Sequence, residues 1–320
     1  MNNTTTADIV AVNSFYNRDL LYRAQATLLH TKFAATKNIP QGNSSTIVFR
    51  RYANFPAAST PLVEGVTPVG RKLSAVNVTA TVQQYGDYVT LTDKLTMTTE
   101  DPIRMEMNGI LGYQAGLTLD GLARDVLNAG TNVIYSGTGN VATGDIAAGD
   151  VVTIANVRSA ELTLKNNNAL LMTSFVDPST GISTVPLPPC FIGITHVNLS
   201  NTFRAMTGFV KVELYSNGSG RMDGEIGKVE STRILETTNA KVFLAAGTGG
   251  IDVYTTIIMA QYAYATTAIS GHALENIVKP LGSAGAADPL NQRETSGWKA
   301  SFVAIILNDD FLVRIESAMV

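Results

Sequence analysis

The chain has 320 residues and a formal net charge of −3, from 23 Lys and Arg against 26 Asp and Glu. This balance argues against a protein dedicated to DNA or RNA binding, because neutralising phosphates normally requires a positive surface. The single cysteine, Cys190, excludes an internal disulfide framework, and we expect it to be a small buried hydrophobic residue. Only 15% of the residues are charged, against a usual share of about a quarter. Such a surface suits a protein covered by copies of itself, and equally a β-rich domain with a neutral polar surface.

The first residues have no basic stretch before an apolar core, so we expect no signal peptide. Residues 14–34, SFYNRDLLYRAQATLLHTKFA, place apolar side chains such as Phe15, Leu20 and Leu28 at roughly helical spacing. They predict one amphipathic helix, either continuous or broken, which Asn38 and Pro40 then end.

A long projecting hairpin is predicted next. STIVFRRYANF and LSAVNVTATVQQ both have the composition of strands, and the second alternates apolar and polar residues. Between them YANFPAASTPLVEGVTPVGRK (residues 52–72) is longer than most connections in compact domains, and it carries the apolar Phe55, Leu62 and Val63. Such a hairpin reaches on the order of 30 Å from its root. A two-stranded ribbon is marginal alone in water, so it needs a surface to lie on.

The clearest helix follows QYGDYVTLTDKL. Asp101 and Pro102 are suitable first residues, and Asn128 to Gly130 form a stop signal. The apolar residues that recur at three- and four-residue steps are Ile103, Met107, Ile110, Leu111, Ala115, Leu119, Leu122 and Val126. A helix over residues 102–127 is about 40 Å long, more than twice the usual length.

The remainder of the chain predicts an α+β arrangement. Residues 133–150 have the composition of turns, Ile154 to Leu164 indicates a helix, and another short helix is expected around Leu199 to Met206. The uncharged stretch from Val253 to Leu274 is predicted to be a buried strand and its turn rather than a membrane span. The last segment, WKASFVAIILNDDFLVRIESA, is predicted to be a strand pair around a turn at residues 308 and 309.

No catalytic, cofactor-binding or metal-binding site is expected. His30, His196 and His272 lie far apart in the sequence, and none has Cys, Asp or Glu at ligand spacing. GEIGKV (residues 224–229) and AAGTGGIDVY lack the spacing of phosphate and dinucleotide loops, so both are predicted to be turns. Asp309 and Asp310 would point to opposite faces of a strand. We therefore predict that the protein is not an enzyme.

Several stretches, in this order, resemble the major capsid proteins of tailed phages, in particular the group typified by the coat protein of coliphage N-four. They are LLYRAQATLLHTKFA, FRRY with PLVEGVTP, QYGDYVTLTDKL, RDVLNAGTNVIY, DGEIGKVESTRILET and DPLNQRETSGWKASFVAIILND. The similarity runs from about residue 20 to the C-terminus, and residues 1–13 and 165–190 match least.

The resemblance implies the Hong Kong 97 capsid fold, an α+β architecture. Its parts would be an N-terminal arm (residues 1–43), an extended hairpin called the E-loop with its root (44–95), a spine helix with the peripheral domain (96–150), a mainly axial domain (151–275) and a return to the peripheral domain (276–320). The E-loop residues expected to contact a neighbouring subunit are Phe55, Pro61, Leu62, Val63, Glu64, Gly65, Pro68 and Lys72.

The resemblance also implies a structural function in the virion. Copies of the chain would form the hexamers and pentamers of an icosahedral shell around double-stranded DNA, assembled in the host cytoplasm without a membrane. Scaffolding, portal and decoration proteins are the expected further partners, and the DNA would not be bound by sequence. Some members of the fold cross-link an E-loop lysine, but Lys72 is expected to be solvated or ion-paired. An encapsulin-type nanocompartment shell and a β-rich tail component are the alternatives.

Overall fold

The computed structural model describes residues 28–53, 55–98, 103–176, 184–215, 221–285 and 288–319. Its helices are α1 (Asp93–Thr98), α2 (Ile103–Leu127), α3 (Ile154–Asn166) and α4 (Ser200–Arg204). Its strands are β1 (Ala35–Thr36), β2 (Thr46–Tyr52), β3 (Ala75–Thr81), β4 (Gln83–Thr92), β5 (Val133–Tyr135), β6 (Met172–Val176), β7 (Thr184–His196), β8 (Val210–Lys211), β9 (Glu225–Val229), β10 (Thr232–Thr237), β11 (Val242–Phe243), β12 (Val253–Met259), β13 (Tyr264–Thr267), β14 (Glu275–Lys279), β15 (Arg293–Ile306) and β16 (Leu312–Ser317).

The strands form three sheets. A five-stranded sheet has the order β1-β13-β15-β14, with β4 also paired to β15, and a nine-stranded sheet has the order β5-β16-β12-β7-β10-β9-β8, with β11 beside β12 and β6 beside β7. The third sheet is the antiparallel pair of β2 and β3, so the predicted hairpin is confirmed. The architecture is the predicted α+β mixture.

The predicted long helix is also confirmed, and α2 is called the spine helix from here on. It packs on β15 and β4 through buried apolar residues that include Leu111, Ala115 and Trp298. Polar contacts fix the same face, because Asn108 Oδ1 accepts a hydrogen bond from Ser296 Oγ at 2.7 Å. The expected start of this helix at residues 101 and 102 lies outside the described residues.

A second core lies on the nine-stranded sheet. Helix α3 packs against it through Val157, Ala160 and Leu164, and the Thr153 side chain caps the first turn of α3 by accepting a hydrogen bond from Asn156 N. The Val253–Leu274 stretch forms the fully buried β12 and then β13, as predicted. No helix of the described residues is long and apolar enough to cross a bilayer.

Several local predictions are wrong. Residues 28–34 form successive turns, in which Lys32 N donates to Leu29 O, so the predicted helix does not extend over them, and residues 14–27 lie outside the described residues. Ile110 was predicted to lie on the buried face of the spine helix, yet it is 66% exposed. A pattern of apolar residues at three- and four-residue steps is too broad to separate the buried face of a helix from an apolar row on another side.

Four predictions about strands and turns also need correction. β15 and β16 do not pair with each other, because β15 belongs to the five-stranded sheet and β16 to the nine-stranded one. Residues 225–229 form strand β9 and residues 133–135 form strand β5, where turns were expected. Asp309 and Asp310 lie in a 3₁₀ turn rather than on a strand. Strand β5 forms by parallel pairing with the distant β16, which local composition does not report, whereas β9 forms a local hairpin with β10.

Candidate assembly surface

The hairpin tip, defined here as residues 55–74, projects into solvent. Every residue from Phe55 to Asn77 is exposed. Exposure reaches 52% for Phe55, 79% for Leu62 and 68% for Val63. Large apolar side chains exposed together in one segment indicate an interaction surface.

Few internal contacts shape the tip. At its base Ala53 N donates a hydrogen bond to Ser74 O at 3.1 Å, and at its end Val66 N donates to Val63 O at 3.2 Å. Gly65 stands in that turn with φ of +79°, a left-handed conformation that favours glycine. A Cβ added at Gly65 or at Gly70 would meet no atom within 4 Å, so the tip stands clear of the rest of the protomer at both positions.

The structure places the sequence-predicted contact residues together in this one exposed segment. They are Phe55, Pro61, Leu62, Val63, Glu64, Gly65, Pro68 and Lys72. The sequence interpretation missed three further exposed apolar residues of the tip, Val66, Val69 and Leu73. They lie in the same proline-rich loop. Counting every apolar residue of that loop as a contact residue would have identified them from the sequence.

The hairpin is anchored directly in the five-stranded sheet. Only Val82 separates β3 from β4, and β4 pairs with β15 from Gln83↔Phe302 to Thr92↔Arg293. The Arg51 guanidinium also donates a hydrogen bond to the Asn308 side chain in the turn after β15. This continuity fixes the direction in which the tip leaves the protomer.

An open groove crosses the face of the five-stranded sheet opposite the spine helix. Ser296 and Trp298 bond to the spine helix, so the alternate residues Thr295, Gly297 and Lys299 point to the groove. Gly86 and Gly297 leave the floor without side chains, and a Cβ at Gly297 would lie 2.7 Å from Asp87 O. The exposed residues along the groove include the apolar Tyr88 and Ile277 and the cationic Lys279 and Lys299.

The buried ionisable groups serve the fold. The Arg233 guanidinium donates to Glu225 at 2.6 Å from Nε and 2.5 Å from Nη2, and Tyr215 Oη donates to the same carboxylate at 2.7 Å. Burial raises the pKa of Tyr215, and its hydrogen bond to Glu225 raises it further. Burial likewise raises the pKa of Cys190 to about 11, so the buried thiol stays protonated and unreactive at neutral pH.

The histidines lie in three separate surroundings. His30 is buried against Asp120, His272 Nδ1 contacts Glu275, and His196 Nδ1 accepts a hydrogen bond from Asn198 N at 3.1 Å. Within the part of the chain that the structure describes, no group of three or more His, Cys, Asp and Glu residues is arranged to hold a metal ion.

The Glu225 ion pair gives a stability prediction. Replacing Glu225 with Gln should lower the free energy of unfolding by about 3–5 kcal/mol, because it removes the negative charge that Glu225 places against the buried Arg233 guanidinium. Urea unfolding of the purified protomer measures the change. Glu230→Gln is the matched control, since Glu230 pairs with Arg158 at the exposed surface and should contribute at most about 1 kcal/mol. An equal loss of stability in both variants would contradict the claim that the buried Glu225–Arg233 pair stabilises the fold more than the exposed pair does.

Solved structures that are similar to this chain include phage capsids and an encapsulin. The chain is similar to the capsid of Ralstonia phage GP4, with a TM-score of 0.65 and 12% identity over 92% of this chain and 89% of that one. Similarity to the capsid of cyanophage Pam1 has a TM-score of 0.62 and 16% identity over 93% and 92%. An encapsulin from Synechococcus elongatus is also similar, with a TM-score of 0.54 and 8% identity over 90% and 86%.

At such low identities these likenesses establish the fold, which is the Hong Kong 97 capsid fold. Among curated proteins none matches this chain. A family model described as "Phage capsid protein" does match, over residues 75–315, which are most of the chain and include strands of all three sheets. The chain therefore belongs to the phage capsid protein family and is a major capsid protein.

Proposed function

We propose that copies of this chain form the hexamers and pentamers of an icosahedral shell around double-stranded DNA, with each hairpin tip lying on a neighbouring copy. The exposure of the whole tip together with its apolar content carries this proposal. Burying Phe55, Leu62 and Val63 would contribute about 1.5–3 kcal/mol each at best. Closed symmetry repeats these modest contacts at every subunit.

The groove on the five-stranded sheet is the surface we propose for receiving the tip. Tyr88 and Ile277 offer apolar area to Leu62 and Val63. Glu64 is the only acidic residue of the tip, and Lys279 and Lys299 stand along the groove. Complementary charges of this kind fix the register of an interface more than they add affinity.

The division of the chain into parts is also proposed on the family pattern. Residues 1–43 would be the N-terminal arm, 44–95 the E-loop and its root, 96–150 the spine helix and peripheral domain, 151–275 mainly the axial domain and 276–320 the return. β16 pairs with β12, so the end of the returning segment also completes the nine-stranded sheet.

Further partners and location follow from assembly into a virion. Scaffolding and portal proteins, a decoration protein and packaged DNA held without sequence recognition are the proposed partners, with assembly in the host cytoplasm and no membrane. The role is structural rather than enzymatic, and Lys72, exposed near the base of the tip, would remain solvated or ion-paired. Membership of the group typified by the coliphage N-four coat protein is part of this proposal.

Electron microscopy of the expressed protein tests the assembly. We expect closed shells of uniform size in negative stain, with or without a scaffolding protein. Monodisperse monomers that never assemble under either condition would contradict the proposal. Filaments or open rings would indicate a tail component instead.

The encapsulin neighbour supports a second candidate, a nanocompartment shell that encloses protein. Shells purified from infected or lysogenic cells distinguish the two, because nuclease-protected DNA marks a capsid and a co-purifying enzyme marks a nanocompartment. The family match favours the capsid.

The side chains of Leu62 and Val63 should provide most of the stabilisation that the tip gives to the assembled shell. Changing Leu62 and Val63 together to Ser should raise the protein concentration needed for assembly more than tenfold, because about 3–6 kcal/mol of apolar burial is lost per subunit and each 1.4 kcal/mol is a factor of ten. Light scattering across a concentration series measures this threshold.

The matched control changes Leu244 and Val141 to Ser, since these residues are as exposed in the protomer but lie outside the tip. It should leave the threshold within twofold. The interpretation fails if both pairs of substitutions shift the threshold equally.

A further inference from the structure

Two short connections between the large sheets lie side by side. One leads from β12 of the nine-stranded sheet to β13 of the five-stranded sheet, and the other leads back from β15 to β16. Leu307 N and Asn308 N both donate hydrogen bonds to Ala263 O, at 2.9 and 3.1 Å, and Ala260 N donates to Phe311 O at 3.0 Å. The two connections therefore form one unit, called the junction here, which consists of residues 260–263 and 307–311.

The junction is bonded to the segments that follow two helices. Asp309 Oδ1 and Oδ2 accept hydrogen bonds from Thr131 N at 3.2 and 3.1 Å, and the Thr131 hydroxyl donates to the same carboxylate. Asn132 Nδ2 donates to Asp309 O at 2.8 Å, and Asn167 Nδ2 donates to Asp310 O at 3.1 Å. Thr131 and Asn132 follow the spine helix, and Asn167 follows α3. The junction therefore moves with these helices.

The hairpin contacts the same junction. The Arg51 guanidinium, in β2, donates its hydrogen bond to the Asn308 side chain. The neighbouring Arg50 points to the other face of the hairpin, where its Nε donates to Asn77 Oδ1 at 3.1 Å. The exposed tip from Phe55 onward lies beyond both contacts. Arg51 thus links the hairpin to the junction, whereas Arg50 links the two strands of the hairpin to each other.

A small rotation at the root of the hairpin moves the tip a long way. The root continues into β4 of the five-stranded sheet, whereas the junction is bonded beside α3, which packs on the nine-stranded sheet. The tip lies on the order of 30 Å from the root, so a rotation of about 10° displaces it by about 5 Å. A change in the angle between the two sheets shifts Asn308 relative to the root, and Arg51 passes this shift to the tip.

We propose that the contact between Arg51 and Asn308 couples the direction of the hairpin to the angle between the two large sheets. Arg51 is in this sense a positioning residue, since it acts on the tip through the hairpin. Hexamers and pentamers present a neighbouring copy at different angles, so the coupling sets the curvature of the shell. This consequence rests on the proposed function, whereas the coupling itself is a property of one protomer.

Pulsed electron paramagnetic resonance on the unassembled full-length protomer measures the coupling. One spin label is placed at Ala75→Cys, at the outer end of the paired strands, and the other at Leu162→Cys on α3, with Cys190 replaced by Ala. Both labelled positions are exposed. Arg51→Ala should widen the distribution of label distances about twofold, because the hairpin loses its contact with the junction. Arg50→Ala is the matched control and should leave the width unchanged.

A second pair of variants tests whether the junction, rather than the hairpin root alone, holds the direction. Asp309→Ala removes the carboxylate that binds Thr131 and should also widen the distribution. Asp310→Ala is its control, because Asp310 contributes its backbone oxygen to the junction. Equal widths for Arg51→Ala and Arg50→Ala would overturn the proposal. A widening by Arg51→Ala without one by Asp309→Ala would overturn the coupling to the junction.

Negative-stain microscopy tests the consequence for curvature. Shells of Arg51→Ala should vary in diameter, whereas shells of Arg50→Ala should be as uniform as those of the wild type. Uniform shells from Arg51→Ala would overturn the effect on curvature. Because the label distances are measured before assembly, a failure of the wild-type protein to form any shell contradicts the proposed function, whereas equal widths contradict the coupling.

Discussion

Removal of residues 56–70 is expected to leave a folded protomer that no longer forms closed shells. The deleted residues are all exposed, and the base of the hairpin keeps the hydrogen bond from Ala53 N to Ser74 O. The free energy of unfolding should therefore change by no more than about 0.5 kcal/mol. Assembly should be lost because the apolar contact that the tip makes with a neighbour is gone. Urea unfolding and negative-stain microscopy measure the two effects separately.

A flexible replacement separates the chemistry of the tip from its length. A Gly and Ser segment of the same length in place of residues 56–70 keeps the reach of the hairpin but offers neither apolar area nor the stiffness of Pro56, Pro61 and Pro68. We expect it to fail in assembly as the deletion does. Shells of normal size from either variant would refute the role assigned to the tip.

Replacing Asp120 with Ala is expected to be among the most destabilising single changes in the chain. The carboxylate accepts hydrogen bonds from two backbone N–H groups of residues 29 and 30 and from Asn239 Nδ2 at 2.6 Å, and it contacts the His30 ring. Removing it leaves several buried donors unsatisfied, each at a cost of about 1–3 kcal/mol. We expect a loss of about 3–5 kcal/mol. The exposed Asp223→Ala is the control, with a change within about 0.5 kcal/mol.

Acid should weaken the protein through the same carboxylate. Burial by itself would raise the pKa of Asp120, but the hydrogen bond and charge of His30 and the hydrogen bond of Asn239 outweigh it and lower the pKa. A lowered pKa means that the stability is fully present above the unfolded value of about 3.9 and is lost as the pH falls through the folded value. Between pH 5 and pH 3 the wild-type protein should lose more stability than Asp120→Asn. Parallel losses in the two proteins would contradict the assignment.

The parts of the fold that sequence predicts are those governed by local rules. The spine helix follows from apolar spacing and a stop at Asn128, and the hairpin follows from two β-rich segments around a loop with several prolines. The partners of β15 and β16 were not predictable, because adjacent strands joined by a short turn usually pair and these two enter different sheets. Likewise, the contact of His30 with Asp120 joins residues ninety positions apart.

The candidate assembly surface likewise has one part that the sequence predicts, the tip, and one part that it does not, the groove. The tip was predictable because an apolar loop of that length has no local partner, and Leu62 and Val63 mark it in the sequence. The groove was not predictable, because Gly86 and Gly297 come from distant strands that meet only after β4 pairs with β15. Ile110 was predicted to be buried because its spacing is that of a core residue, but its side chain is exposed.

A density map of the assembled shell, at a resolution that shows side chains, measures the central claim most directly. We expect Leu62 and Val63 to be buried against another copy of the chain, within about 4.5 Å of apolar side chains. A closed shell in which both side chains remain in solvent, or in which the tip folds back on its own protomer, would contradict the account.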